Sequence, residues 1–150
     1  MCRSRQEVGG PRRCPAHARA QLGRSIAQVE ELEQREALFR AAIAEAMERT
    51  RRSYSASRTL DQIERDLDRI AARLEDDPEE DPEYCLRREE LAEARARYEE
   101  VRPPAQRAVA ELEQRRQEAA AALVGAGVGA GVAQEHLDSI ERETGFAPPF

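Results

Sequence analysis

Leu60, Ile63, Leu67, Ile70 and Leu74 follow one another at intervals of three, four, three and four residues. Residues three and four apart share one face of an α-helix, so this spacing writes a helix with a single apolar stripe. A strand would need alternation at every second position. The stripe covers about two heptads, and a free-standing coiled coil usually needs about three or more. It therefore requires a partner helix, in the same chain or in a second copy.

The same period recurs on both sides. Leu22, Ile26, Val29, Leu32, Phe39, Ile43 and Met47 predict a first helix over about residues 20–50, with Glu36 interrupting its stripe. Residues 50–58 lose the stripe and gain Ser and Thr, which compete for backbone hydrogen bonds, so a break is expected there. Thr59 and Gln62 fit a capping box at the start of the next helix. Asp76 to Pro82 reads as an acidic turn, with Pro78 ending one helix and Asp81 capping another whose first residue is Pro82. Tyr84, Leu91, Ala94, Tyr98 and Val101 form a thin third stripe. Pro103 and Pro104 interrupt it, as a short turn or a kink.

Val109, Leu112, Arg116, Ala119 and Leu123 continue the period, and an Arg among alanines predicts weak or close packing. The Gly/Ala run that follows reads as a flexible linker over 125–132. Residues 133–144 form a last short helix carrying Leu137 and Ile140. Gly145 suits a left-handed C-cap, with Phe146 folding back onto the helix.

The expected fold is all-α: an elongated bundle of helical hairpins with coiled-coil character and an irregular basic N-terminal arm. Its segments are the arm (1–19), a helical body (20–124), the linker (125–132) and a C-terminal helix with tail (133–150). Composition agrees. Ala (26), Arg (24), Glu (23) and Leu (11) fill more than half of the 150 positions, the balance of long helices. Leu, Ile, Val and Phe together number 26, enough for narrow seams and too few for a thick core or a sandwich. The thin seams predict self-association, which would bury stripes that one chain leaves exposed.

The net charge of −6 is uneven. Residues 1–24 hold six Arg against one Glu, and the remainder holds 18 Arg against 29 acids. This is a basic arm on an acidic body. Cys2, Cys14 and Cys85 make an odd count, and the N-terminus lacks the apolar stretch of a secretory signal. A disulfide framework is not expected, and a reducing, cytoplasmic location is. No run of 18 apolar residues spans a membrane.

The arm carries the most unusual residues. Cys2, Cys14 and His17 are candidate zinc ligands, since zinc takes thiolate and imidazole in tetrahedral sites. A closed site needs a fourth ligand, for which Cys85 or Glu7 is available. Arg3, Arg5, Arg12 and Arg13 are the candidate partner-binding residues, because guanidinium pairs with phosphate or carboxylate. The arm has no aromatic residue for base stacking, and the acidic body repels a nucleic-acid backbone. A second basic patch, Arg49, Arg51, Arg52 and Arg58 around Tyr54, reads as a helix end whose cations complement the helix dipole.

The order Cys2, Gly9-Gly10, Arg12-Arg13-Cys14, His17 resembles the N-terminal pattern of short actinobacterial and actinophage proteins. Pro11, between the glycines and the arginines, departs from that pattern. The resemblance covers residues 1–17 and implies an origin rather than an activity, for the group has none that is settled. The absence of Lys and Asn, whose codons are A-rich, points the same way, to a high-GC genome.

The glycine run invites two other readings. Gly125, Gly127 and Ala130 lack the strand that a dinucleotide fingerprint needs. Gly125/Gly129 and Gly127/Gly131 have the spacing of small-residue helix contacts, in an apolar stretch too short to span a membrane, with a membrane-associating hairpin as the lesser alternative to a linker. His136 reads as solvated and Cys85 as packing. No nucleophile and base have a supporting pocket, so no enzyme is expected. The expected function is a non-enzymatic helical interaction or scaffold protein, of phage or mobile-element origin, binding a protein partner or itself and needing no cofactor. The alternative is a small nucleic-acid-associated or zinc-binding adaptor acting through the arm.

Overall fold

The computed structural model describes residues 15–146. The all-α expectation holds: among the described residues there are three α-helices and no strand. They are α1 (Pro15–Arg73), α2 (Pro82–Gly125) and α3 (Ala130–Thr144), with one 3-10 turn at Pro78–Glu80. Residues 1–14 of the expected arm lie outside the described residues. Residues 15–19 are not irregular but form the first turns of α1, with Pro15 at the start, where its missing N–H costs nothing.

The expected break at 50–58 does not occur, and α1 runs on through 59 residues. The segment contains no Gly or Pro. Ser and Thr cost at most about 0.7 kcal/mol each in a helix, whereas stopping would strip up to four carbonyls and four amides of partners. Thr59 is not a cap. Its hydroxyl donates to the Ser55 carbonyl one turn back (3.1 Å), and Gln62 donates to Asp66 (3.0 Å).

α1 stops at Arg73, short of Pro78. The acidic turn is ordered by two aspartates. Asp77 Oδ1 accepts from the Glu79 amide (3.1 Å), and Asp81 Oδ1 accepts from the Tyr84 amide (3.0 Å) at the start of α2. Asp81 is thus the cap read from the sequence, and Pro82 the first helical residue. Pro103 and Pro104 do not open a turn: α2 continues through both. Val101 before them and Ala105 and Ala108 after them are buried, which holds the helix on its seam across the defect.

α1 and α2 pack antiparallel along most of their length. Arg35 pairs with Glu118 (3.3 Å) and Asp66 with Arg87 (3.8 Å), and in both pairs the residue numbers add to 153. Ile63, Leu67 and Ile70 are buried in this seam, with Leu60 and Leu74 half-buried at its ends. The heptad therefore finds its partner in its own chain.

α3 folds back where α2 ends, so this half of the rod has three helices. Phe39, Ile43, Leu137 and Ile140 are fully enclosed there, beside Ala46, Ala108, Leu112 and Ala119. The expected linker is a short turn. Val128 N–H donates to the Leu123 carbonyl and Gly127 N–H to the Val124 carbonyl (both 3.0 Å), a Schellman closure with Gly127 at φ +94°. Gly131 and Val132 already belong to α3. The same closure ends α3 at Gly145 (φ +71°), and Phe146 packs on the core as read from the sequence.

Arg116, the odd residue of its stripe, faces α3. It pairs with Asp138 (2.6 Å) and Glu141 (3.3 Å) and donates to Gln134 (3.1 Å), with only 18% of its side chain exposed. Arg116→Met is expected to cost about 1–2 kcal/mol, after discounting these charge-assisted bonds for solvent. Urea unfolding measures it, and an unchanged midpoint would mean that apolar packing alone seats α3.

Candidate interaction surface

The antiparallel register places Gln28 beside Gly125, the last residue of α2. α1 therefore extends about 13 residues, or about 20 Å at 1.5 Å per residue, beyond its neighbour. Residues 15–31 are all exposed. Leu22 and Ile26 line one face of this extension and Val29 stands at its root; spaced four and three apart, they are 62%, 51% and 52% exposed. The sequence reads them as the start of the first seam. The structure covers that stripe from Leu32 to Ile43, and Met47 at its other end is again exposed.

On another face of α1, an open groove of about 400 Å³ lies between α1 and the end of α2. Its floor is made of small residues, Ala121, Ala122, Gly125 and Ala126, with Leu32 beside them and Glu31, Arg35 and Glu118 at the rim. No backbone crowds these glycines: a Cβ at Gly125, Gly129 or Gly131 would meet nothing within 4 Å. Among the described residues, the small-residue spacing thus serves no close contact at these glycines.

Charge is sorted along the extension. Residues 15–29 hold Arg19 and Arg24 and no acid, whereas residues 30–36 hold Glu30, Glu31, Glu33 and Glu36 against Arg35. Glu36 also meets α3, through Arg40 (3.2 Å), itself paired with Glu143 (3.3 Å), and through His136 (3.4 Å). His136 is thus an exposed inter-helix partner.

The second basic patch is not a helix end. It lies mid-helix, and three of its arginines are paired within α1: Arg49 with Glu45 (2.7 Å), and Arg51 and Arg52 with Glu48 (2.6 and 2.9 Å). The hydrogen bond from Arg51 holds the Glu48 carboxyl below the usual carboxylate range. Arg58 lies over the Tyr54 ring at 5.9 Å, and Arg102 over Tyr98 at 5.7 Å. The i, i+4 glutamates were visible in the sequence and signal an internally neutralised face. The nearby groove bounded by Thr50, Ser53, Tyr98 and Gln106 leaves the buried Thr50 hydroxyl without a hydrogen-bond partner.

His17 is exposed in the first turns of α1. Cys2, Cys14, Arg3, Arg5, Arg12 and Arg13 lie outside the described residues. Among the described residues no three His, Cys, Asp or Glu side chains converge as a metal-ligating group. Cys85 is not packing: it is exposed, and its thiol donates to the Glu79 carbonyl (3.0 Å). No described helix is long and apolar enough to cross a membrane. No protein family, no curated protein and no solved structure matches the chain.

Proposed function

We propose that this chain is a non-enzymatic, cytoplasmic helical interaction or scaffold protein that binds a protein partner through the exposed extension of α1. The observation that carries the reading is the Leu22–Ile26–Val29 stripe. It is the apolar face of a formed helix, and it reaches beyond the end of α2. Contiguous apolar surface of this kind, rimmed by charge, marks docking sites for helices. The mid-helix arginines favour this reading over a nucleic-acid surface, because their charge is already matched by glutamates on the same helix. The missing Lys and Asn support an origin in a high-GC bacterium or one of its phages.

A photo-crosslinking residue placed at Ile26 in the native host tests the reading. Defined protein adducts are expected at Ile26, well above those formed by the same residue at Arg107, on an exposed face of α2. Equal or absent labelling at the two positions would sink it.

A further inference from the structure

We propose that the open trough beside Thr50 is a docking site for a proline-rich segment, and that its occupant is the chain's own Ala147-Pro148-Pro149-Phe150. The trough is separate from the α1 extension, so the inference stands or falls apart from the reading of that extension.

The trough continues the seat of α3. On α2, Arg116 pairs with Asp138 and Glu141 of α3, and Val109 and Arg102 stand seven and fourteen residues before it. On α1, Glu36 meets His136 of α3, Ile43 lies in one cluster with Leu137 and Ile140, and Thr50 stands seven residues beyond Ile43. Seven residues are close to two helical turns, so each set shares a face. The two faces that hold α3 thus run on past its end, and Thr50, Arg102 and Val109 line one trough of about 460 Å³ there.

The chain leaves α3 at the mouth of this trough. Glu36 pairs with His136 and Arg40 with Glu143, so α3 runs parallel to α1, toward Thr50. The same register brings Phe146 level with Ile43, and the α1–α2 register puts Val109 at that level too. Val109 and Phe146 both pack on the core cluster. From Val109 to Arg102 is about 10 Å along α2 at 1.5 Å per residue. Four residues in the polyproline form span about 12 Å at 3.1 Å each. Residues 147–150 have the length of the trough.

Their chemistry fits its walls. Consecutive prolines favour the extended form and bring no N–H that a narrow trough must satisfy. Segments of this kind dock on aromatic-lined grooves, because little order remains to be lost on binding. The far wall is the half-buried Tyr98, with Arg102 over its ring at 5.7 Å, and Phe150 falls against this pair. Thr50 adds a hydroxyl that has no hydrogen-bond partner, so turning it toward a carbonyl of the segment breaks no existing bond.

Phe150→Trp in the full chain tests the proposal, since the chain has no other Trp. In the folded protein the indole emission is expected to lie to the blue of that in urea, to be shielded from acrylamide, and to stay so on dilution. Adding Tyr98→Ala, or Arg102→Ala at an exposed position, should move the emission to the red and open it to the quencher with helicity unchanged. If Tyr98→Ala costs helicity by circular dichroism, Arg102→Ala decides alone. Emission from the folded protein as red as that in urea overturns the proposal. So does a blue emission that Arg102→Ala leaves unmoved, because the segment then sits elsewhere. A blue shift lost on dilution overturns it as well, since the occupant is then the segment of a second copy.

Discussion

Replacing Phe39 with Ala is expected to lower the unfolding free energy by about 3–5 kcal/mol, the cost of deleting a fully enclosed aromatic ring from a close-packed site. Phe39 has no exposed surface and lies where α1 meets α2 and α3, with Ile43, Leu112, Leu137 and Ile140 in the same cluster. A chain with few large apolar residues has little to refill the space. Total stability of a domain this size is about 5–15 kcal/mol, so one ring is a large share of it. Ile63→Ala in the two-helix half should cost less, near the low end of about 2–5 kcal/mol, because Ile63 keeps some solvent contact. Urea midpoints of the two variants give the comparison. Equal costs, or a Phe39 cost below about 1 kcal/mol, would refute the three-helix end as the centre of stability.

Replacing Pro103 and Pro104 together with Ala is expected to stabilise the protein by about 2–4 kcal/mol. Each proline withholds an amide from a carbonyl one turn back, those of Glu99 and Glu100, and its ring crowds that turn. An interior proline costs a helix about 3 kcal/mol. Against this, each proline restricts the unfolded chain, an advantage of about 0.4–1 kcal/mol that Ala would forfeit. The prolines are also half-buried, so some contact is lost with them. The helix term is the larger. A higher melting temperature and urea midpoint are the expected readouts. A fall in either would show that α1 packs against the prolines well enough to outweigh the broken backbone bonds.

These two regions show what a sequence of this composition reveals. Asp81, Pro82, Gly145 and Phe146 were legible because a cap is a local device: its chemistry lies within four residues. Ile63, Leu67 and Ile70 were legible because a buried stripe repeats at the helix period. The continuity of α1 through Ser53 and Ser55 was not, since local propensity there favours a break and the cost of two extra helix ends decides otherwise. α2 passes Pro103 for a similar reason, with Val101 and Ala105 pinned on either side. Arg116 looked like a flaw because its acids stand 22 and 25 residues downstream on another helix. The open surface was hidden for a different reason. Leu22, Ile26 and Val29 repeat at three and four residues like the covered residues after them, and the end of α2 at Gly125, which leaves Leu22 and Ile26 without a neighbour helix, has no sign within the stripe itself.

The antiparallel register also orders the events of folding. From the acidic turn outward, each new α1–α2 contact closes a loop only slightly longer than the last, so the pair can zip at small successive entropic cost. At the other end of α2, Arg116 and Asp138 are 22 residues apart, and α3 can settle without α1. Arg35 and Glu118 are separated by 83 residues, and the site of Phe39 lies close to that far end of the zipper. Contacts of low sequence separation form early and the widest ones last. The Phe39 cluster is thus expected to close late, and Phe39→Ala should raise the unfolding rate more than it lowers the folding rate in stopped-flow measurements, the reverse split refuting this order.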